Sequence, residues 1–119
     1  MASRSLNKVM IIGHLTRDPE LKYTAQGTAL GKFSVATNRT WTNDRGEQQE
    51  DVEYHDCVAW GKLGEICDQL LSKGSHVYVE GRLNTNKWEN DQGETRRRTE
   101  IVVNEMNLLG GGDAPAGGG

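Results

Sequence analysis

The residues of this sequence best suited to chemistry are aromatic rings and cations spread among polar neighbours. The rings are Trp41, Tyr54, Trp60 and Trp88. The cations are Arg4, Lys8, Arg39, Lys62, Lys73, Lys87, Arg96, Arg97 and Arg98. Rings stack on the flat face of any base and spaced cations pair with phosphates, so the combination is typical of a groove that binds a single nucleic-acid strand. Each cation taken singly is also explained as a solvated surface charge.

Tyr54 and Trp60 lie on one stretch, V-E-Y-H-D-C-V-A-W-G-K-L at 52–63, which alternates as a strand does. Alternation places both rings on the face of Asp56, with His55 and Cys57 on the other face. A barrel core is the alternative environment for these two rings. The shared parity with Asp56 favours a solvated face, and hence stacking.

Trp41 and Trp88 lie in polar surroundings, which favours exposure over a loop tryptophan tucked onto its own domain. Trp41 has the core parity of Phe33, and we expect its strand to twist or bulge so that the ring reaches solvent. Among the three consecutive arginines, Arg97 has the parity opposite to its neighbours. At least one of the three therefore points away from a shared surface.

The sequence offers little for catalysis or metal binding. Cys57 and Cys67 are the only cysteines, and neither they nor His55 and His76 have the spacing of a structural zinc site. A Gly-rich phosphate loop and a nucleophile with its base are both missing. We predict no metal, no cofactor and no enzymatic activity. The two cysteines suit small buried side chains in a reducing compartment.

Bulk properties predict a single domain. The chain has 119 residues, 34% of them hydrophobic, and a formal net charge of −3. Strand-binding proteins are usually basic overall, so the charge distribution, rather than its sum, must supply a basic groove. No apolar run is long enough for a membrane helix or a signal peptide. We expect a cytoplasmic protein without membrane contact.

The hydrophobic pattern predicts main strands over 6–15, 29–41, 52–60, 75–83 and 99–109, a short one over 21–24, and a helix over 62–73 ending at Gly74. Leu83 is expected to point inward, Leu70 lies on the apolar stripe of the helix, and Gly13 inside the first strand indicates a bulge or a close backbone approach. Polar hairpins follow the second and fourth main strands. This order predicts an all-β protein, a five-stranded OB-fold Greek-key barrel with one short helix between strands 3 and 4. Residues 1–109 form the domain, and 110–119 a flexible Gly-rich tail.

Three ordered blocks of sequence resemble the bacterial single-stranded DNA-binding protein family. They are L-N-K-V-M-I-I-G-H-L-T-R-D-P-E at 6–20, E-Y-H-x-x-V-A-W-G-K-L at 53–63 and K-G-S-H-V-Y-V-E-G-R-L at 73–83. The resemblance implies a homotetramer that binds single-stranded DNA during replication, recombination and repair, in the bacterial cytoplasm and at the nucleoid. It also assigns base stacking to the four rings, with Tyr54 where tryptophan is common and Trp60 where phenylalanine is common.

A subunit interface is the second implication of the resemblance. The first strand is apolar on both parities, so we expect one of its faces to be covered by another subunit. The expected interface residues are Val9, Met10, Ile11 and His55. Family members end in an acidic tail with Pro-Phe that recruits other proteins, whereas Asp113 is the only acid after position 109 here. We therefore expect a truncated tail and no tail-mediated partners.

Two other functions share the predicted fold. A protein-interaction module of the replication-restart type would ignore oligonucleotides and capture a helicase. An RNA-binding module would use the same rings, since stacking does not distinguish the sugars. Enzymatic activity depending on His55 ranks third.

Overall fold

The computed structural model describes residues 4–111, which form six strands and one helix. The elements are β1 (Val9–Leu15), β2 (Glu20–Tyr23), β3 (Ala29–Thr42), β4 (Gln48–Trp60), α1 (Lys62–Leu70), β5 (Ser75–Glu89) and β6 (Thr95–Gly111). The sheet order is β1-β5-β6-β4-β3-β2, and β1 also pairs with β3. This last pairing closes five strands into a barrel and leaves β2 at the edge. The predicted all-β barrel with one helix is confirmed.

Two glycines let the strands bend into a closed barrel. A Cβ at Gly13, in β1, would overlap the carbonyl oxygen of Ala36 at the point where β1 meets β3. A Cβ at Gly81 would overlap the carbonyl oxygen of Val102, beside a register shift between β5 and β6. The close backbone approach predicted for Gly13 is confirmed. The bulges themselves lie in the β5–β6 pair.

The core fills the barrel with inward-facing side chains from all five barrel strands and the helix. Its members are Leu15, Phe33, Val35, Cys57, Ala59, Cys67, Leu71, Val77, Val79, Ile101 and Val103. Phe33 faces Cys57 in register, and both are almost fully buried. Lys32, which precedes Phe33, and Val58, which follows Cys57, therefore lie on the outer face of the barrel. The outer face along β3 and β4 is open to solvent at Tyr54 and Trp60 and closed between them at Val58, which is 4% exposed.

The helix is shorter than predicted. It ends at Leu70, and Leu71 is extended, with φ −101° and ψ 151°. Gly74 has a φ of 88° but lies beyond the helix, where its N–H donates to Leu15. The predicted helix to residue 73, with Gly74 at its end, was therefore wrong. Leu70, which the apolar stripe placed inward, is 54% exposed because the buried side of α1 is Gly64 and Cys67.

Both predicted hairpins are continuous extensions of barrel strands. The β3–β4 ladder runs without a register shift from Leu30 opposite Trp60 to Thr42 opposite Gln48. The β5–β6 ladder reaches Glu89 opposite Thr95. Leu83, expected to point inward, is 49% exposed although it lies directly opposite the buried Ile101.

The ends of the described chain differ from the sequence prediction. Leu6 precedes β1 instead of beginning it and is 89% exposed. Gly110 and Gly111, assigned to the tail, pair with His76 and Ser75 as the last residues of β6. Residues 112–119, the remainder of the predicted tail with Asp113, lie outside the described residues. Within 4–111 no helix is long and apolar enough to cross a membrane.

Candidate nucleic-acid interface

The outer face of β4 carries two of the four predicted rings. Tyr54 is 67% exposed and Trp60 is 48% exposed, with Asp56 and Val58 between them on the same face. Their neighbours of opposite parity, Cys57 and Ala59, are buried in the core. The two rings therefore face solvent because alternation in β4 is strict and its inner face fills the barrel.

Trp88 belongs to the same outer surface through the register of the second hairpin. It lies directly opposite Arg96, and the next pairs of equal parity are Asn86 with Arg98 and Asn84 with Glu100. Residues directly opposite each other share one face of a sheet. The Trp88 ring, 48% exposed, and two cations thus project from the face that Glu100 and Asn84 share.

A groove joins this face to β4, where β4 and β6 run parallel with Val58 beside Val102. We call this cleft the outer groove; its cavity volume is about 190 Å³. Its lining includes Trp60, Lys32, Val58, Asn84, Asn86 and Glu100. A cleft with one exposed indole and a polar floor is suited to a base that stacks on the ring.

Hydrogen bonds fix the floor of the outer groove. Asn86 donates from Nδ2 to Glu100 Oε1 at 2.7 Å, and its own Oδ1 accepts from Asn84 Nδ2 at 3.3 Å. Glu100 is only 9% exposed, although it is an acid on an outer face. The amide donation satisfies its buried carboxylate and holds both asparagines in place.

Trp41 lies on the other face of the first hairpin. Its exposed fraction is 39%, and the Arg39 guanidinium lies 4.4 Å from the centre of its ring. The β3–β4 register stays regular here, so of the expected twist or bulge at Trp41 the bulge is absent. The ring keeps the parity of Phe33 and is exposed because the barrel ends before it. The four rings therefore do not share one face.

The predicted phosphate contacts divide in a similar way. Arg96 and Arg98 lie on the outer face, whereas Lys87 and Arg97 are directly opposite each other on the reverse face. Arg96 pairs with Glu94 at 3.2 Å and Lys8 with Glu80 at 3.3 Å. The remaining predicted cations lie elsewhere on the exposed surface: Arg4, Lys62 and Lys73. Parity correctly placed Arg97 away from its neighbours.

Three groove residues were missed by the sequence analysis: Asn84, Asn86 and Glu100. They were assigned to a polar hairpin and to a strand start, where nothing indicated that they converge with Trp60. Lys32 was assigned to the polar face of its strand but not to the site. Its register opposite Val58 brings it to the groove. Only the strand register, and not the pattern of one strand, carries this information.

The predicted subunit interface falls on two faces of β1. Val9 and Ile11 are partly buried and pack against the barrel's own core. Met10 and Ile12 are the outward residues, 61% and 55% exposed. His55, which lies opposite the rings as predicted, contacts Thr37 Oγ1 through Nε2 at 3.0 Å.

The cysteines are unsuited to nucleophilic chemistry. Burial raises the pKa of Cys57 to about 12, with the nearby Asp56 adding to the effect, and burial raises that of Cys67 to about 11. Both thiols stay protonated at neutral pH, and a thiol is a poor nucleophile compared with a thiolate. Across residues 4–111, no three His, Cys, Asp or Glu side chains converge into a metal site.

Comparison with known proteins decides which family this geometry represents. The model of the single-strand binding protein family matches residues 6–109, almost the whole described chain. The chain belongs to this family. Members of the single-strand binding protein family bind DNA and are not enzymes, so the prediction of a non-enzymatic binding protein is confirmed.

Individual relatives support the assignment to the single-strand binding protein family. The chain is 48% identical over 116 residues to single-stranded DNA-binding protein 1 of Chlorobaculum tepidum, covering 97% of this chain and 72% of that protein. Among solved structures, the Plasmodium falciparum SSB complex with ssDNA is similar with a TM-score of 0.81 and 34% identity, covering 92% of this chain and 99% of that one.

A second solved structure has the same fold. It is a deletion mutant of the single-stranded DNA binding protein from Thermus aquaticus, with a TM-score of 0.79 and 34% identity. The alignment covers 89% of this chain and 51% of the Thermus chain. At 34% identity, the shared fold supports the assignment of this chain to the single-strand binding protein family.

Proposed function

We propose that this protein binds single-stranded DNA without sequence preference and protects it during replication, recombination and repair. The observation that carries the proposal is the placement of Tyr54, Trp60 and Trp88 on one outer surface, each about half exposed or more. Rings with a face open to solvent are available to stack on the bases of a single strand. Arg96 and Arg98 beside them supply cations for the sugar-phosphate backbone.

Stacking explains why the binding is indifferent to sequence. Every base has a flat face, and each base stacked on an aromatic side chain is worth roughly 1 to 3 kcal/mol. Three rings on one surface would bind several bases of the same strand. A duplex hides its base faces in the helical stack, so the outer surface discriminates strand from duplex by access to those faces.

The phosphate contacts supply the part of the affinity that depends on salt. We assign Arg96 and Arg98 to this role first, because they share the surface of Trp88. Trp41 with Arg39, and Lys87 with Arg97, extend the path only if the strand continues around the hairpins onto their reverse faces. The other predicted cations, Arg4, Lys8, Lys62 and Lys73, are expected to contribute through the general field of the surface.

The assembly we propose is a homotetramer in the bacterial cytoplasm, associated with the nucleoid. Met10 and Ile12 form an exposed apolar pair on the outward side of β1, and a second copy of the chain would cover it. Sedimentation at micromolar concentration tests this point. A particle with the mass of one chain would contradict it. Replacing Met10 and Ile12 by lysine is expected to dissociate the assembly.

A tryptophan-fluorescence titration tests the proposed function directly. We expect an unstructured polypyrimidine DNA strand to quench the emission strongly and the duplex of equal length to leave it nearly unchanged. RNA of equal length serves as the second control, because equal quenching would favour the RNA-binding function. If fluorescence and anisotropy both ignored the DNA strand, stacking would be excluded, and a protein-interaction module would remain.

A further inference from the structure

A second cavity adjoins the outer groove on the outer face of the barrel, and its lining is strongly charged. Its volume is about 230 Å³. The cations in its lining are Arg17, Lys22, Lys32 and Arg98. We call it the cationic pocket. Of these four, the sequence analysis had assigned only Arg98 to DNA binding.

The cationic pocket has more positive than negative charge to offer a ligand. Three acids also line it: Glu20, Asp56 and Glu100. Glu20 pairs with Lys22 at 3.7 Å, Asp56 with Arg98 at 3.1 Å, and Glu100 accepts from Asn86 at 2.7 Å. Arg17 and Lys32 have no ion pair within residues 4–111. Glu100 keeps its negative charge, because its partner is a neutral amide. An anion entering the pocket therefore meets two cations without an ion pair against one such carboxylate, a net charge of +1.

The pocket lies on the path between two rings. Along the outer face of β4 the order is Tyr54, Asp56, Val58, Trp60, so Asp56 follows one ring and precedes the other. At about 3.3 Å per residue the two rings are roughly 20 Å apart along the strand. Lys32, Val58 and Glu100 line both the cationic pocket and the outer groove. A DNA strand stacked on both rings must carry its backbone past Asp56.

The Asp56–Arg98 pair is built to exchange partners. Arg98 donates from Nε and Nη2 to the same oxygen, Oδ2, at 3.3 and 3.1 Å. Both side chains are about half exposed, so the pair is a weak one and its exchange is cheap. The planar guanidinium fork that grips this carboxylate has the geometry to grip a phosphate instead.

We propose that the cationic pocket binds one backbone phosphate of the DNA strand, and that Asp56 is an internal competitor for it. The phosphate contacts Arg17 and Lys32 and replaces the Asp56 carboxylate at Arg98. Asp56 then faces a phosphate without a partner, which lowers the affinity at this point and speeds release of the strand. The inference rests on the proposed function and names further residues of the same site.

Two variants test the two halves of the inference, with strand affinity measured by anisotropy across salt concentrations. Asp56→Asn removes the competitor, and we expect binding two- to fivefold tighter, about the range that a solvent-exposed ion pair is worth. Arg17→Ala with Lys32→Ala removes the phosphate contacts. We expect weaker binding and a salt slope shallower by about 0.7, the value for one phosphate of a single strand.

Matched controls separate the pocket from net charge. Asp44→Asn makes the same charge change as Asp56→Asn at the exposed tip of the first hairpin, and Arg45→Ala removes one cation there. We expect both controls to behave like the wild type. The inference is overturned if Asp56→Asn tightens binding no more than Asp44→Asn, or if the Arg17/Lys32 double variant keeps the wild-type salt slope.

The wild-type titration distinguishes the two levels of failure. If the wild-type chain binds the strand and only the pocket variants fail to respond, the proposed function stands and the pocket does not. If the wild-type chain itself ignores the strand, the proposed function falls and this inference falls with it. Urea unfolding of each variant verifies that the affinities belong to folded protein.

Discussion

The two hairpins end in the same kind of turn but differ in their arms, the two strands that lead to the turn. In the first, Asn43 Oδ1 accepts from the N–H groups of Arg45 and Glu47, both at 2.9 Å, while Asn43 Nδ2 donates to the Glu47 carboxylate at 3.0 Å. In the second, Asn90 makes the same three bonds to Gln92 and Glu94 at the same distances.

A glycine completes each turn at the same place. Gly46 has a φ of 77° and Gly93 a φ of 79°, and each donates its N–H to the asparagine three positions earlier. The left-handed backbone favours glycine there, since other L-residues are strained in it. The shared sequence is N-D-x-G-E in both hairpins. One turn chemistry thus ends two ladders without determining what the ladders carry.

The arms differ in charge and in the face that bears the ring. Residues 37–54 hold two cations and five acids, whereas residues 83–99 hold four cations and three acids. The first hairpin is therefore acidic and the second basic. Trp41 lies on the reverse face of the first hairpin, whereas Trp88 lies on the outer face of the second. The turns thus determine the shape of the two hairpins, and the arms determine their affinity for a DNA strand.

The largest expected effect concerns the roots of the two hairpins. Gly81→Ala would drive a Cβ into the Val102 backbone, whereas a Cβ at Gly31 would meet the backbone of Gly64 at 2.9 to 3.0 Å. We expect Gly81→Ala to lower the free energy of unfolding by about 3 kcal/mol, and Gly31→Ala by about 1 kcal/mol, the ends of the range for overpacking. Urea denaturation measures both values.

Gly27→Ala is the control for the glycine comparison. Gly27 has a φ of 87° and open space around it, so its loss tests backbone strain without a clash. An equal loss of unfolding free energy in Gly31→Ala and Gly81→Ala would mean that the contact of Gly31 with the helix backbone tolerates a side chain no better than the β5–β6 bulge does.

The next effect concerns the rings of the two hairpins. We expect Trp88→Ala to weaken strand binding by roughly 1 to 3 kcal/mol, the value of one stacked base. Trp41→Ala should weaken it by less, because that ring lies on the reverse face and is already covered by Arg39 at 4.4 Å. Anisotropy of a labelled strand measures both affinities without relying on tryptophan emission. An equal loss in the two variants would mean that the strand wraps around the first hairpin.

We expect the two turn asparagines to contribute equally to the free energy of unfolding. We expect Asn43→Ala and Asn90→Ala each to lower the free energy of unfolding by about 1 kcal/mol, because each removes the same three exposed hydrogen bonds. Thermal denaturation of the two variants, with Asp44→Ala as an unbonded control, measures the difference. Unequal values would show that the arms, and not the turn, stabilise one of the hairpins.

Alternation and turn chemistry were sufficient to predict much of the molecule. They placed Tyr54 and Trp60 on the wet face of β4, and they identified both hairpins and the closing strand. They failed where a second element decides the outcome. Trp41 keeps core parity but extends beyond the barrel, and Leu70 turns outward because Gly64 and Cys67 form the packed side of the helix.

The sequence predicted each ring of the site separately, but it did not predict how the residues combine into one surface. Parity along one strand assigns a face, but only the register between strands brings Glu100 and Asn86 to Trp60, or Arg98 to Asp56. Those contacts join residues far apart in the sequence, so no local pattern indicates them. For Trp41, by contrast, parity alone already indicated the face of Phe33, and the regular β3–β4 register keeps the ring there, even though all four rings were assigned one role.

The smallest expected effect separates the two faces of the second hairpin. Arg96 lies opposite Trp88 on the outer face, whereas Arg97 lies opposite Lys87 on the reverse face. We expect Arg96→Ala to make the salt slope of strand binding shallower by about 0.7, since one phosphate contact is lost. Arg97→Ala removes the same charge one residue away and should leave the slope unchanged. Equal slopes for the two variants would mean that the strand senses the hairpin's total charge, and that its basic arms attract DNA without presenting a preferred face.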